Sequence, residues 1–336
     1  MEVDDHKERS PELLQQVEAS GIESLPSRVN RYGLAKTRAL DVAKYIGAQG
    51  ERKLSHRVET CGNYLLFRHY FTVDQVRLHA AQLCCKHLLC SLCAIRRGSK
   101  AMQAYLPRYD AVKAANGRLR PFLVTLTVKD GEDLRERFRH LQSAQRELWM
   151  RVHRRRGRTA FDCIEAAVWS YEVKRGAGSG QWHPHLHMVA MSVEQPDQQA
   201  LRDEWQEVTG DSWSCDVRPI DEVDPASGFL EVFKYALKFS DMSPADTFHA
   251  FKTLKGKRLV GSAGLFRGIE IADSLVDTPL DDLPYVDMFY RFMNGGYSLV
   301  ANPGGLPRSV RENASENRYF QNRGAGGEPP VEAVVI

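Results

Sequence analysis

Two apolar runs on either side of a glycine-rich loop decide the fold. They are Ala166-Ala-Val-Trp-Ser-Tyr-Glu-Val173 and Trp182-His-Pro-His-Leu-His-Met-Val-Ala190, joined through Arg175-Gly-Ala-Gly-Ser-Gly180. Short β-rich runs around a glycine-rich turn predict an antiparallel hairpin. A third run, Pro121-Phe-Leu-Val-Thr-Leu-Thr-Val128, predicts a further buried strand. These segments together predict the centre of a sheet.

Helical segments alternate with these strands. Apolar residues recur at helical spacing from Glu132 to about Arg156, and helices are also predicted around 198–208 and 228–239. A strand is predicted at 212–219, between the last two helices. The order of elements predicts an α+β protein in which helices flank a central antiparallel sheet.

Composition limits the class of protein. The chain has 336 residues, of which 43% are hydrophobic, and this excludes a wholly disordered or fibrous protein. No apolar run reaches the roughly 18–20 residues of a membrane span, and the polar, acidic N-terminus does not resemble a secretory signal. We therefore expect a cytoplasmic protein with reduced cysteines.

Charge is distributed unevenly along the chain. Residues 96–158 carry 17 Lys and Arg against 6 Asp and Glu, whereas the whole chain has a net charge of only +3. A basic block in an otherwise acidic protein indicates a polyanionic partner, most often a nucleic acid. The arginines at the C-terminal end of the helix that follows Glu132 are the candidate phosphate-binding residues; they are Arg151, Arg154, Arg155, Arg156 and Arg158.

A histidine pair stands within the second run of the hairpin. Because side chains alternate along a strand, His185 and His187 project from one face, about 6–7 Å apart. Two imidazoles and a carboxylate form a Lewis-acid site with open positions. A turn centred near Ser179 pairs Glu172 with one of the two histidines, which makes Glu172 the favoured third ligand. His183 is the alternative, although Pro184 disturbs regular pairing there.

A helical segment supplies a candidate nucleophile. In Glu231-Val-Phe-Lys-Tyr235-Ala-Leu-Lys238, positions i, i+4 and i+7 share one face, so Glu231, Tyr235 and Lys238 are expected to line it. A tyrosine becomes nucleophilic when its phenolate is stabilised, for which a metal ion and a lysine ammonium are suited. A neighbouring carboxylate can act as a base.

Five of the seven cysteines lie between residues 61 and 93. The spacing C-x4-C-x2-C from Cys85, with Cys61 upstream, predicts a structural zinc site made by Cys61, Cys85, Cys90 and Cys93. The choice of the fourth ligand stays open among Cys85, Cys84, His79 and His87.

The ordered motifs resemble the plasmid rolling-circle replication initiators of the HUH endonuclease superfamily. The resemblance spans about residues 61–266 and rests on Cys-Gly-x-Tyr-Leu, the cysteine cluster, the Phe-Leu-Val-Thr-Leu-Thr strand, His-Pro-His-Leu-His, Glu-x-x-x-Tyr-x-x-Lys and a late Lys-Gly-Lys-Arg-Leu-Val-Gly-Ser-Ala-Gly-Leu-Phe stretch. It implies that His185 and His187 bind Mg²⁺ or Mn²⁺, and that Tyr235 cuts one DNA strand through a 5′-phosphotyrosine. It further implies that Glu231 activates water at termination and that Lys238 belongs to the same motif.

The resemblance also implies an organisation and partners. We expect a polar helical arm at 1–55, a zinc-binding module at 56–100, an HUH endonuclease domain at 101–275, and a C-terminal extension with a disordered tail at 276–336. The expected partners are the double-strand origin of a plasmid, single-stranded at the nick site, and a host helicase with the replication machinery. The alternatives are a relaxase or transposase of the same superfamily and a non-catalytic, zinc-containing DNA-binding regulator.

Overall fold

The structure is a computed structural model that describes residues 24–154, 159–233, 242–280, 283–300 and 334–335. The chain divides into two compact units. We call Gly98–Ile271 the histidine unit, and Glu23–Arg97 with the chain from Ala272 onward the cysteine unit. Segments of the ranges 1–55, 56–100 and 276–336, which the sequence analysis treated separately, therefore share one unit.

The described elements follow one another as seven helices and ten strands. They are α1 Leu25–Ala48, α2 Arg52–Glu59, β1 Tyr64–Tyr70, β2 Gln75–Ala81, α3 Ser91–Ala115, β3 Arg120–Thr127, α4 Leu134–Arg154, β4 Ile164–Arg175, β5 Trp182–Ser192, α5 Gln198–Thr209, β6 Cys215–Pro219, α6 Ala226–Phe233, α7 Pro244–Leu254, β7 Val260–Gly264, β8 Val286–Met293, β9 Gly296–Leu299 and β10 Val334–Val335. Each helix or strand expected from the sequence corresponds to one of these elements, with ends that differ by a few residues. The expected helix at 228–239 is described as far as Phe233.

Two antiparallel sheets, both flanked by helices, confirm the predicted α+β class. The histidine unit holds the strand order β6-β3-β5-β4-β7, with the predicted hairpin β4–β5 near its centre. The cysteine unit has a sheet of its own, β10-β2-β1-β8-β9. The sequence analysis expected one central sheet and did not foresee this second one.

Each face of the histidine-unit sheet is covered by a different pair of helices. On one face, Leu123, Val168 and Val189 join apolar residues of α3 and α6 in a buried core. On the other face, the Tyr171 hydroxyl donates to Gln145 of α4, and the Trp205 indole of α5 donates to the carbonyl of Thr127. Strand alternation thus produces two distinct layers around one sheet.

Local signals place the helix ends. Asp197 caps α5 because its carboxylate accepts from the amides of Gln199 and Ala200, and Gly210 ends that helix in the left-handed conformation, with φ 73°. Among the described residues, no helix is both long and apolar enough to cross a membrane.

Candidate metal centres

The predicted histidine pair and its carboxylate meet on the central strands of the histidine unit. The hairpin register pairs Glu172 with His185 and Ser170 with His187 across β4 and β5. These side chains share the face that carries the α3–α6 core, because they alternate in step with Val168 and Val189. The same strand face therefore changes from an apolar core to a polar site within two residues.

The donor atoms of this group converge. The Nε2 atom of His185 lies 3.4 Å from Glu172 Oε1, and the Nε2 atom of His187 lies 3.6 Å from Glu172 Oε2. Ligand atoms of the three residues all lie within 4.8 Å of one another. Both distances exceed an ordinary hydrogen bond of about 2.7–3.2 Å. The spacing and the mixed imidazole–carboxylate chemistry fit one divalent cation.

Burial and charge shift the pKa values of this group towards the protonation states that bind a cation. Glu172 is only 2% exposed, and its burial alone would raise its pKa. The close approach and charge of His185 and His187 outweigh this and hold the pKa of Glu172 below its usual range. Burial lowers the pKa of His185, which favours the neutral, metal-binding imidazole. His185 Nδ1 is buried with no hydrogen-bond partner among the described residues.

His183, the alternative third ligand, has a different partner. Its Nδ1 atom contacts a carboxylate oxygen of Asp130, whose other oxygen accepts from the Ser179 hydroxyl. A backbone bridge between Gly131 and Trp182 brings these segments together. The structure therefore groups Glu172, and not His183, with His185 and His187.

Helix α6 lies against the face that carries the histidines. The Ser170 hydroxyl, opposite His187 in the register, donates to the carbonyl of Val232 in α6. A Cβ at Gly98 of α3 would lie 2.6 Å from the carbonyl oxygen of Phe233, so close packing of α3 and α6 requires a glycine there. Glu231 is a half-buried residue of α6. The predicted residues Tyr235 and Lys238 lie outside the described residues.

Four buried cysteines form a second group, in the cysteine unit. The sulfur of Cys61 lies 3.5 Å from that of Cys90 and 3.5 Å from that of Cys93, and the sulfur of Cys84 lies 3.6 Å from that of Cys93. Zinc–thiolate bonds of about 2.3 Å place the sulfurs of a tetrahedral site about 3.8 Å apart. All four thiols are free rather than disulfide-bonded, so the group fits a closed tetrathiolate zinc site.

The fourth member of this group is Cys84, where the sequence analysis chose Cys85. Cys85 has a left-handed backbone with φ 54°, and its exposed thiol lies 3.9 Å from the carbonyl of Leu83. This backbone turn directs neighbouring side chains apart, so only one of the two adjacent cysteines joins the group. The other candidates, His79 and His87, are not members of it either.

A lysine and a backbone amide beside the cysteine group can offset the negative charge of its thiolates. Lys36 donates to Asn63 Oδ1 at 3.1 Å and interacts electrostatically with Cys61, Cys84 and Cys90. The amide of Cys84 donates to the sulfur of Cys61 at 3.3 Å. Such N–H donors and a nearby cation stabilise thiolates.

Some of the arginines that were predicted to contact DNA form ion pairs within the protein. Arg151 makes a bidentate ion pair with Glu207, with both hydrogen bonds 2.9 Å long, and Arg154 pairs with Glu147 at 3.3 Å. Arg96, also in the basic block, is buried against Asp277 at 2.5 Å. Arg155, Arg156 and Arg158 lie outside the described residues.

Two residues that contact histidines of β5 were missed by the sequence analysis. The Thr125 hydroxyl lies 3.1 Å from His187 Nδ1 and orients that ring, and Asp130 holds His183. Strand alternation alone could not identify Thr125, because its place opposite His187 depends on the register between β3 and β5. Asp130 follows the end of β3, and only the bridge to Trp182 brings it to the site.

Comparison with known proteins gives the class of this chain. A sequence profile of the family described as "Replication protein" matches residues 75–287, and the chain belongs to that family. The matched region includes the histidine group and most of the cysteine group, so the replication initiator expected from the motifs is confirmed at this level.

A curated relative agrees with this assignment. The chain is 26% identical over 309 residues to "Protein rep" of Streptococcus pneumoniae serotype 2 (strain D39 / NCTC 7466). The aligned region covers 87% of this chain and 91% of the relative. No solved structure matches the chain.

Proposed function

We propose that this replication protein is a plasmid rolling-circle initiator that nicks and rejoins single-stranded DNA at the origin with an HUH-type active site. The observation that carries the proposal is the convergence of Glu172, His185 and His187 on one sheet face in a member of the replication protein family. A divalent cation such as Mg²⁺ or Mn²⁺, held by these three residues, would polarise the scissile phosphate and offset its developing charge.

Tyr235 is the proposed nucleophile. Its oxygen forms a bond to phosphorus while the bond from phosphorus to the 3′ oxygen breaks. The phenol loses its proton, and the departing 3′ oxygen gains one. The products are a 5′-phosphotyrosyl strand and a free 3′-hydroxyl that primes synthesis by the host replication machinery, with unwinding by a host helicase. The contact of Ser170 with α6 supports this role, because Tyr235 follows α6 by two residues.

Glu231 and Lys238 have distinct proposed roles. Glu231 takes a proton from water when the phosphotyrosine is hydrolysed at termination. Lys238 stabilises the phenolate of Tyr235 by its positive charge. The cysteine group, as a zinc site, has a structural role, since four thiolates leave no coordination position for substrate.

The direct test is formation of a covalent adduct. The protein is incubated with Mn²⁺ and single-stranded oligonucleotides that tile a candidate origin, and protein–DNA adducts that resist SDS are counted. Tyr235→Phe should form none. The matched control Tyr285→Phe, which removes one hydroxyl from an exposed ring of the other unit, should react like the natural protein.

Two outcomes would contradict the proposal. An adduct that persists in Tyr235→Phe would assign the reaction to another nucleophile. Failure of the natural protein to form an adduct with any origin segment, together with sequence-specific duplex binding, would favour a non-catalytic regulator.

A further inference from the structure

A groove of about 780 Å³ lies within the histidine unit on the side of the sheet away from the histidines. Trp169 and Tyr171 line it, and these residues alternate along β4 with Ser170 and Glu172, which face the histidine site. Helix α4 forms one wall, and the edge strand β7 forms the other. The groove is therefore separate from the proposed nicking site.

The charge of the groove is entirely basic. None of its lining residues is acidic, and its arginines and histidine are Arg139, Arg146, His153, Arg258 and Arg267. All five are exposed. Among the described residues, the four arginines of the groove form no ion pair. In contrast, Arg151 and Arg154 of α4 pair with glutamates. Four guanidinium groups without carboxylate partners offer contacts to phosphates.

Aromatic surface accompanies this charge. The indole of Trp149 stacks on that of Trp169 with ring centroids 5.8 Å apart and an interplanar angle of 26°, and both residues are partly exposed. A Cβ at Gly261 would lie 2.5 Å from the Trp169 ring, so a glycine in β7 makes room for that indole. The Nε1 atom of Trp149 and the Nε2 atom of Gln145 are buried donors with no hydrogen-bond partner among the described residues.

We propose that this groove binds single-stranded DNA, with bases stacked on Trp149 and Trp169 and phosphates held by Arg139, Arg146, Arg258 and Arg267. Arginines beside accessible indoles are the combination that binds unpaired strands, because every base has a face that can stack. In a duplex the faces of the bases are buried in the stack, and an acidic peptide has no bases that could stack on the indoles. The choice of DNA rests on the proposed function, whereas the chemistry of the groove does not.

The first test measures the affinity of the full-length protein for a fluorescent oligothymidylate of about 15 nucleotides, in EDTA and over a range of salt concentrations. The double variant Arg139→Ala/Arg146→Ala should bind at least tenfold more weakly. Its log–log salt slope should fall by about 1.4, since each phosphate contact to a single strand contributes about 0.7. The control Arg118→Ala/Arg202→Ala removes the same charge from exposed arginines outside the groove and should change affinity less than twofold.

The second test examines the bases with the natural protein, so it does not depend on a variant that folds. An abasic strand of equal length should bind at least tenfold more weakly than oligothymidylate, because it has no bases to stack on the indoles. Photo-crosslinking with 5-iododeoxyuridine should label peptides that contain Trp149 or Trp169.

Three results would overturn the inference. The first is an equal loss of affinity in the groove variant and the control variant, and the second is equal affinity for the abasic strand and for oligothymidylate. The third is competition by poly-glutamate as strong as competition by unlabelled oligothymidylate, which would indicate an acidic protein partner. Failure of the nicking proposal is separately visible. In that case no covalent adduct forms with Mn²⁺, while the groove variant still loses affinity in EDTA.

Discussion

The two groups of candidate metal ligands differ in donor chemistry, exposure and support. The cysteine group has four soft sulfur donors, all buried, three in loops and one at the start of α3, next to Lys36 and the amide of Cys84. The histidine group has two imidazoles and one carboxylate on adjacent strands, with His187 partly exposed. Four thiolates close the coordination sphere of zinc, whereas three mixed donors leave positions for substrate oxygens. We therefore expect a structural role for the cysteine group and a chemical role for the histidine group.

The largest expected effect is loss of folding in the cysteine unit. Cys84→Ser should abolish stoichiometric zinc and lower the Tm by more than about 10 °C, because binding of structural zinc contributes directly to folding. The control Cys85→Ser should keep one zinc per chain and the natural Tm. Zinc content by elemental analysis and thermal unfolding would measure both. A reversed pattern would mean that Cys85, as the spacing suggested, is the ligand.

The next effect concerns the histidine group, where chemistry should fail without loss of the fold. His187→Ala should reduce strand cleavage by about 10³-fold or more and leave duplex binding and Tm nearly unchanged, since a cation contributes several kcal/mol to the transition state. His183→Ala, which removes the partner of Asp130, should retain Mn²⁺ affinity. Combined loss of cleavage and duplex binding in His187→Ala would indicate a folding role.

A smaller effect is expected at Glu231. Glu231→Ala should nick the origin at close to the natural rate but release the phosphotyrosyl strand about 10²-fold more slowly, as expected when a general base is lost. Single-turnover nicking and adduct decay would separate these steps. Disappearance of nicking itself would show that Glu231 acts in the first step.

The smallest effect is a pH dependence in the cysteine unit. Burial, followed by the charge of Arg68, lowers the pKa of His79 to about 4. The unfolded chain, with a histidine pKa of about 6.5, binds the proton first. His79 therefore contributes stability that is complete above pH 6.5 and is lost as the pH falls towards 4.

Denaturant unfolding between these pH values measures the contribution of His79. His79→Gln should flatten the decline of unfolding free energy relative to the natural protein. The control Gln75→Ala, at an exposed residue of the same strand that carries no titratable group, should leave the decline unchanged. Parallel declines in the natural protein and His79→Gln would exclude His79 as a cause.

The sequence predicted the features that depend on local order. The glycine-rich turn determined the β4–β5 register, and the register placed Glu172 opposite His185. The choice of Cys84 over Cys85 could not be predicted, because it depends on one left-handed backbone conformation. Likewise, the sequence predicted that Arg151 binds phosphate, because it does not show that Glu207 of α5 lies close enough to pair with it. The second sheet escaped prediction because β1 and β8 are more than 200 residues apart in the chain.

The most direct test of the histidine group is anomalous diffraction from crystals of the full-length protein grown with Mn²⁺ and measured at the manganese absorption edge. Our account predicts a manganese peak bounded by the carboxylate of Glu172 and the imidazoles of His185 and His187. A peak beside Asp130 and His183 instead, or no peak at Glu172, would contradict the assignment on which the proposed chemistry depends.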